Sequence, residues 1–212
     1  MDEHYPFARR PWRFGYQDFS PYFDPDTMYE HYVHIYQAYI GELNRLLARH
    51  PEYQDMTLEE LLTQRINLPP VEASTIRFYA GGVYNHEVFF GGLSSYPAEP
   101  DPQSDLAAAI LEQYGSMEDF TRIFGEAAHA ILGVGWVWLN VEDGRLHIAI
   151  TKDEDAPALQ YVTPIFNMDT WEHSYFLKYR TDLAAYIQSW FRFVDWKQAE
   201  RNYKSAMLSN RT

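Results

Sequence analysis

An aspartate and a histidine stand four residues apart in the stretch Asn167-Met168-Asp169-Thr170-Trp171-Glu172-His173-Ser174-Tyr175, with an indole and a second carboxylate between them. A carboxylate oxygen and an imidazole nitrogen together suit iron, manganese or zinc better than calcium or copper. The apolar run Tyr161 to Phe166 before them reads as a buried strand. Asp169 is therefore expected at the end of that strand and His173 in the helix that follows. Taken alone, the spacing equally describes a helix-capping Asp beside a surface His.

Other imidazoles sit at separated points of the chain. His31 and His34 fall in a first long helical segment that also carries Tyr39, and His86 falls in a second. A hairpin of those helices could bring His31 and His86 to Asp169 and His173, giving three imidazoles and one carboxylate. Each histidine also has a plain reading. His31 has Tyr29, Tyr32 and Tyr36 around it and could be a core or surface residue; His34, one turn on, is expected to be solvated. Spacing alone does not assemble the cluster.

The elements that must position these groups follow from composition and punctuation. The chain has 212 residues, 46% hydrophobic and 17% aromatic, so it can bury a sizeable core. Its net charge of −13 argues against nonspecific nucleic-acid binding and against an anionic membrane surface. With no cysteine, disulfides, thiolate metal sites and cysteine nucleophiles are excluded. The acidic Met1-Asp2-Glu3-His4 start predicts neither a secretory signal nor a transit peptide, hence a cytoplasmic protein. The apolar run Ala127 to Val141 is too short to span a bilayer.

Residues 1–23, rich in aromatics and proline, are expected to lie over the body as an arm. Asp24-Pro25 starts a helix, with Asp as N-cap and Pro in the first turn, that runs to about Arg49. Thr57 to Glu60 fits a capping box for a short helix. Ala73 to about Gly92 is the second long helix, in which Gly81 and Gly82 mark close backbone approach. Three prolines between Tyr96 and Pro102 make the best boundary, separating a helical-hairpin domain, 1–98, from a mixed domain, 99–212. In the second domain helices are expected near 104–114 and 117–132. Strands 136–141 and 146–151 flank the hairpin signal Glu142-Asp143-Gly144. A third strand, 161–168, and helices near 172–180, 183–193 and 196–206 complete an α+β fold with a small, about three-stranded antiparallel sheet.

Four separated segments resemble the iron/manganese superoxide dismutase family, in that family's order and across nearly the whole chain. His31-Tyr32 with Tyr39 and Leu43-Asn44 is similar to its first ligand helix, and Asn85-His86 with Phe89 to its second. Gly135-Trp136-Val137-Trp138-Leu139 matches its Gly-Trp-x-Trp-Leu strand. Asp169-x-Trp171-Glu172-His173-x-Tyr175-x-Leu177-Lys178-Tyr179 matches its most distinctive signature. The resemblance implies that His31, His86, Asp169 and His173 bind one Mn or Fe ion per chain, Mn slightly favoured, and that superoxide is disproportionated to dioxygen and hydrogen peroxide. It makes Tyr39 the gateway phenol and Trp136 and Trp171 walls of the site. It also makes Glu172 a bridge to a ligand His across the interface of a homodimer or higher homo-oligomer.

The chain departs from the family at positions around the site. Ile35 replaces the gateway His one turn after His31, and Phe176 replaces that residue's Tyr partner from the neighbouring subunit. Phe90 stands where Trp is common. The Gln that contacts the solvent ligand comes from the second ligand helix in most iron enzymes and from the loop after the β-hairpin in most manganese enzymes. The helix position here is Gly82, as in the manganese pattern, and the loop position is Glu154. The Arg near the substrate funnel falls at Asp182, with Arg180 two residues away. These departures keep two alternatives open: a metal-binding relative with altered redox behaviour, and a non-catalytic structural member of the fold. A zinc hydrolase fits less well, since only Glu172 resembles a positioned general base.

Overall fold

The computed structural model describes residues 3–209; Met1 and Asp2, on which the reading of the N-terminus partly rests, lie outside the described residues. The arm runs without a regular period and includes a single 3₁₀ turn, Tyr16–Phe19. Helix α1, Pro25–Tyr29, is capped by Asp24, whose Oδ1 accepts from the backbone N–H of Asp26 and Thr27 at 2.8 and 3.1 Å. The long first helix expected from 24 to 49 is interrupted. A π turn, Glu30–Ile35, joins α1 to α2, Tyr36–Leu47, and the Tyr36 N–H reaches back five residues to the His31 carbonyl. One extra residue in the turn carries no composition signal, so the sequence pattern passes over it.

Helix α3, Leu58–Thr63, begins with the expected capping box between Thr57 and Glu60. Helix α4, Pro70–Gly91, starts three residues before the expected Ala73 because Pro70 occupies the first turn, where a missing N–H costs nothing. Helices α2 and α4 pack as the helical hairpin, with α3 against α4. On α2 the buried residues Ile40, Leu43, Leu46 and Leu47 form one face. Helix α4 is buried nearly all round in its second half, because it lies between α2 and the sheet.

Beyond the proline-rich link come α5, Asp105–Tyr114, and α6, Met117–His129, the latter three residues shorter than expected. Strands β1, Gly135–Glu142, β2, Arg145–Lys152, and β3, Val162–Asp169, form an antiparallel sheet in the order β2-β1-β3. Asp143 and Gly144 both have positive φ, 48° and 74°, the two-residue turn whose twist matches a hairpin. Seven of the eight residues of β1 are buried, as expected of a central strand covered on both faces. Helices α7, Glu172–Tyr179, α8, Leu183–Phe191, and α9, Trp196–Ser209, follow. Helix α9 packs on β3, and α7 meets α1, so the last ligand segment is brought beside the first helix. Fully buried Phe19, Phe89, Phe120, Phe124, Phe166 and Phe193 contribute about 1.5–3 kcal/mol each to this core. Among the described residues no helix is long and apolar enough to cross a membrane.

Candidate metal centre

Each of the four candidate donors comes from a different piece of local structure. His31 is aimed by the π turn, His86 by the buried half of α4, Asp169 by the last position of β3 and His173 by the first turn of α7. Their ligand atoms lie within 4.8 Å of one another. Asp169 Oδ2 is 3.1 Å from His31 Nε2 and 3.0 Å from His173 Nε2. His31, His86 and Asp169 are buried and His173 is half-buried.

Neighbouring groups fix each donor. His86 Nδ1 meets the Gly82 carbonyl at 2.6 Å, which holds the ring in the Nδ1–H tautomer and leaves Nε2 as a lone pair. The Trp171 N–H donates to Asp169 Oδ1 at 2.7 Å, and the Tyr186 hydroxyl donates to the Asp169 carbonyl at 2.8 Å. Burial alone would raise the Asp169 carboxyl. The imidazoles of His173 and His31, 3.0 and 3.1 Å away, outweigh it and hold the group well below the usual carboxylate range. Burial pushes His31 down and His86 far down, each helped by a neighbouring imidazole, so both rings are neutral at ordinary pH.

Neutral buried imidazoles beside an ionised carboxylate are the protonation states a cation needs. Nε2 of His86 has no hydrogen-bond partner among the described residues, which is costly unless a cation satisfies the lone pair, and Nε2 of His31 faces the Asp169 carboxylate at 3.1 Å. Three nitrogens and one oxygen fit a borderline divalent or trivalent ion such as Mn, Fe or Zn.

Aromatic rings enclose the cluster. Trp136 is edge-on to His86 at 5.1 Å, and Trp171 is stacked on His173 at 5.6 Å. Phe90 lies 4.9 Å from His31, and Tyr39 tilts over His86 at 5.2 Å. Ile35, in the last position of the π turn, is half-buried, and His34 is exposed as expected. Glu172 is exposed, beside half-buried His173.

Glu154 is fully buried, with its Oε2 accepting from Trp136 Nε1 and Asn85 Nδ2, both at 3.1 Å. Burial, reinforced by the Asp169 charge, pushes this carboxyl up to about 8, against hydrogen bonding from Tyr39, Asn85 and Trp136. The Tyr39 phenol is raised in turn, by burial and then by the Glu154 charge. The two helix glycines explain how close these groups come. A Cβ on Gly81 would stand 2.0 Å from the Glu154 carbonyl oxygen, and one on Gly82 would stand 2.3 Å from the Tyr39 ring. The close approach expected of them is thus the seat of Glu154 and Tyr39 against α4.

Several contributors had no role assigned in the sequence. Tyr36 lies flat on His86 at 5.7 Å and 5°, Asn85 ties α4 to Glu154, and Asn167 donates to the Asn85 carbonyl at 2.9 Å. Asn85 is adjacent to a candidate ligand and could have been suspected. Tyr36 could not, because its overlap with His86 depends on the π turn. Tyr186 reaches Asp169 only through the packing of α8.

Two family models match the chain: the iron/manganese superoxide dismutase alpha-hairpin domain over residues 5–94, and the C-terminal domain of the same family over residues 102–202. The chain is similar to a protein named Superoxide dismutase [Mn] from Listeria monocytogenes serovar 1/2a, 34% identical over 193 residues, covering 91% of this chain and 95% of the relative. Another Superoxide dismutase [Mn], from Haemophilus ducreyi, is 34% identical over 197 residues, covering 90% of this chain and 91% of the relative.

Proposed function

The chain belongs to the iron/manganese superoxide dismutase family, and from that premise we propose that His31, His86, Asp169 and His173 hold one Mn or Fe ion at which superoxide is disproportionated to dioxygen and hydrogen peroxide. The observation that carries this reading is the convergence of four donor atoms within 4.8 Å, one of them, His86 Nε2, a buried imidazole nitrogen with no protein partner among the described residues. Bound there, the ion supplies a one-electron couple, so that two superoxide anions and two protons give one dioxygen and one hydrogen peroxide.

The chain's own groups do the rest. Asp169 supplies the single anionic donor, and its carboxylate is held ionised by the imidazoles beside it. Trp136, Trp171 and Phe90 exclude water from the donors, and Tyr39 with Glu154 stands where protons must be handed in. With Ile35 and Phe176 in place of the family's polar gateway pair, the route through Tyr39 and Glu154 is the one left. Mn is favoured over Fe on two grounds. The relatives are named as Mn enzymes, and position 82 has no room for a helix-borne Gln while the Tyr39 ring occupies its Cβ site.

Glu172, exposed on α7 beside Phe176 and Leu177, is read as the bridge to a ligand histidine of a partner subunit in a homodimer or higher oligomer. Segments 1–98 and 99–212 are read as the two domains, to be tested by proteolysis within the proline-rich link. A cytoplasmic location is tested by cell fractionation.

Elemental analysis of protein purified from its native source, with superoxide consumption assayed on the same sample, tests the main reading. Bound Mn or Fe with turnover supports it. Bound metal without turnover selects a relative with altered redox behaviour, the reading that Glu154, Ile35, Phe176, Phe90 and Asp182 favour. A metal-free preparation that folds and retains a biological partner selects a structural role.

A further inference from the structure

Two of the four donors sit on backbone that the N-terminal arm grips. The π turn that carries His31 is a wide, uncommon geometry. Arg9 lies on it: its Nη1 is 3.3 Å from the Tyr32 carbonyl and 3.4 Å from the Val33 carbonyl, and its guanidinium centre is 4.5 Å from the Tyr32 ring. Both carbonyls belong to the π turn itself. The Tyr32 hydroxyl donates back to the Arg10 carbonyl, closing the contact from the other side.

The next side chain reaches the second ligand helix. Arg10 Nη2 is 3.0 Å from Glu87 Oε2, and Glu87 directly follows His86 on α4. The other Glu87 oxygen is 3.4 Å from the hydroxyl of Tyr36, whose ring lies flat over His86. Trp12 completes the grip, edge-on to Phe90 at 5.1 Å, and Phe90 is the ring against His31.

We infer that Arg9 and Arg10 are positioning residues for the metal centre, bracing the backbone turn that aims His31 and the ring packing that holds His86. This rests on the metal centre proposed above. Three arm residues within four positions, Arg9, Arg10 and Trp12, reach the surroundings of the same two candidate ligands, whereas a mere staple would need only one. Guanidinium suits the Arg9 position because its plane lies over the Tyr32 ring while one nitrogen, Nη1, meets both carbonyls, and an ammonium does not stack in this way.

The test uses the full-length Mn-loaded protein, comparing wild type, Arg9→Met, Arg9→Lys and the pair Arg10→Met with Glu87→Gln. Loss of Arg10 alone would strand the buried Glu87 carboxylate and confound folding with positioning, so the pair removes both charges together. The readouts are the rate of Mn loss to excess chelator, the Mn(II) electron paramagnetic resonance signature, and thermal unfolding of the metal-free protein. Outer partners of ligands typically tune affinity by 10–100-fold, so Arg9→Met is expected to release Mn about tenfold faster. Its resonance signature should shift while metal-free unfolding changes little, and Arg9→Lys should recover only part of the effect. Unchanged release and an unchanged signature in both Arg9→Met and the pair, even with lowered thermal stability, would overturn the inference and leave the metal centre standing. A wild-type protein that takes up neither Mn nor Fe overturns the metal centre and this inference with it.

Discussion

The Trp136 indole and the Glu154 carboxyl meet at 3.1 Å, and the oxygen that accepts this indole N–H is the same one that accepts from Asn85. A glutamine in place of Glu154 keeps one carbonyl oxygen for both donors and exchanges only the other oxygen for an amide. Glu154→Gln should therefore preserve the local packing while removing a potential negative charge from beside the metal. An ionised carboxylate favours the more oxidised ion, so at pH 9, above the Glu154 value of about 8, the substitution is expected to raise the metal's reduction potential, read by mediated redox titration, and at pH 6 to leave it nearly unchanged. An unchanged potential at pH 9 would show that Glu154 stays protonated beside the metal.

The same carboxyl makes the metal-free protein's stability depend on pH. Its folded-state value of about 8 lies above the ordinary 4.5, so the native state holds the proton longer than the unfolded chain does. Stability contributed by neutral Glu154 is complete below pH 4.5 and is lost as pH rises towards 8, by at most about 1.4 kcal/mol per pH unit. Urea unfolding of metal-free wild type and Glu154→Gln at pH 5, 6.5 and 8 should show wild type losing ground to the variant at each step. A difference that stays constant would contradict this assignment.

Gly81 and Gly82 are adjacent, yet their alanine variants should fail differently. The added Cβ at 81 meets a backbone oxygen, Glu154 O, at 2.0 Å, so the loop itself must move, and overpacking of this kind costs about 1–3 kcal/mol. The added Cβ at 82 meets the Tyr39 ring from its root outward, Cγ at 2.7 Å and Cδ1 at 2.3 Å, so the whole side chain must leave its place against α4. Replacing Gly in a helix interior also gains about 1 kcal/mol. Calorimetry should find both variants destabilised, Gly81→Ala through the displaced loop and Gly82→Ala through the displaced Tyr39, with superoxide turnover falling further in Gly82→Ala because Tyr39 lies over His86.

The candidate donor cluster was legible only through the resemblance to the family, and the helices through their caps. Asp24 and Thr57 each cap the helix they were expected to start. The Asp143-Gly144 turn was readable because both residues tolerate positive φ. What stayed hidden depends on contacts between segments far apart in the chain. The π turn is a one-residue accommodation within a helix whose composition is ordinary, and it decides where Tyr36 lands on His86. The shared oxygen of Glu154 required β1, α4 and the loop after β2 to meet, and no local periodicity encodes that. The arm's aromatic run gave no period, and its role appears only where Arg9, Arg10 and Trp12 touch the ligand helices.

Ile35 and Phe176 are read as the two halves of an apolar exchange for a polar gateway pair, one half on each subunit. Ile35 is half-buried and Phe176 is exposed on α7 in the single chain. Introducing one polar member alone leaves a hydrogen-bonding group facing an apolar partner at the interface. Ile35→His and Phe176→Tyr are each expected to weaken the proposed homodimer, and the double variant to recover most of the loss. A double-mutant cycle on dimer dissociation should show a coupling of about 0.5–3 kcal/mol. Purely additive effects would mean that the two positions do not meet.

Substrate approach is the step on which the chain's charge should weigh most. A net charge of −13 repels an anion, and Asp182 stands where the family has a cationic side chain near the funnel. Its carboxylate caps α8, accepting from the Ala185 N–H at 3.0 Å, so the charge can be separated from the cap. Asn caps a helix as well as Asp does, and Asp182→Asn therefore removes one negative charge while keeping the helix start. Screening shortens the reach of repulsion to about 8 Å at physiological salt. The wild-type rate measured by pulse radiolysis is accordingly expected to rise with ionic strength, and Asp182→Asn to be faster at low salt with a shallower slope. A wild-type rate near the diffusion limit at physiological salt, or one that falls as salt is added, would show that local positive charge, with Arg180 the nearest candidate, already corrects the field.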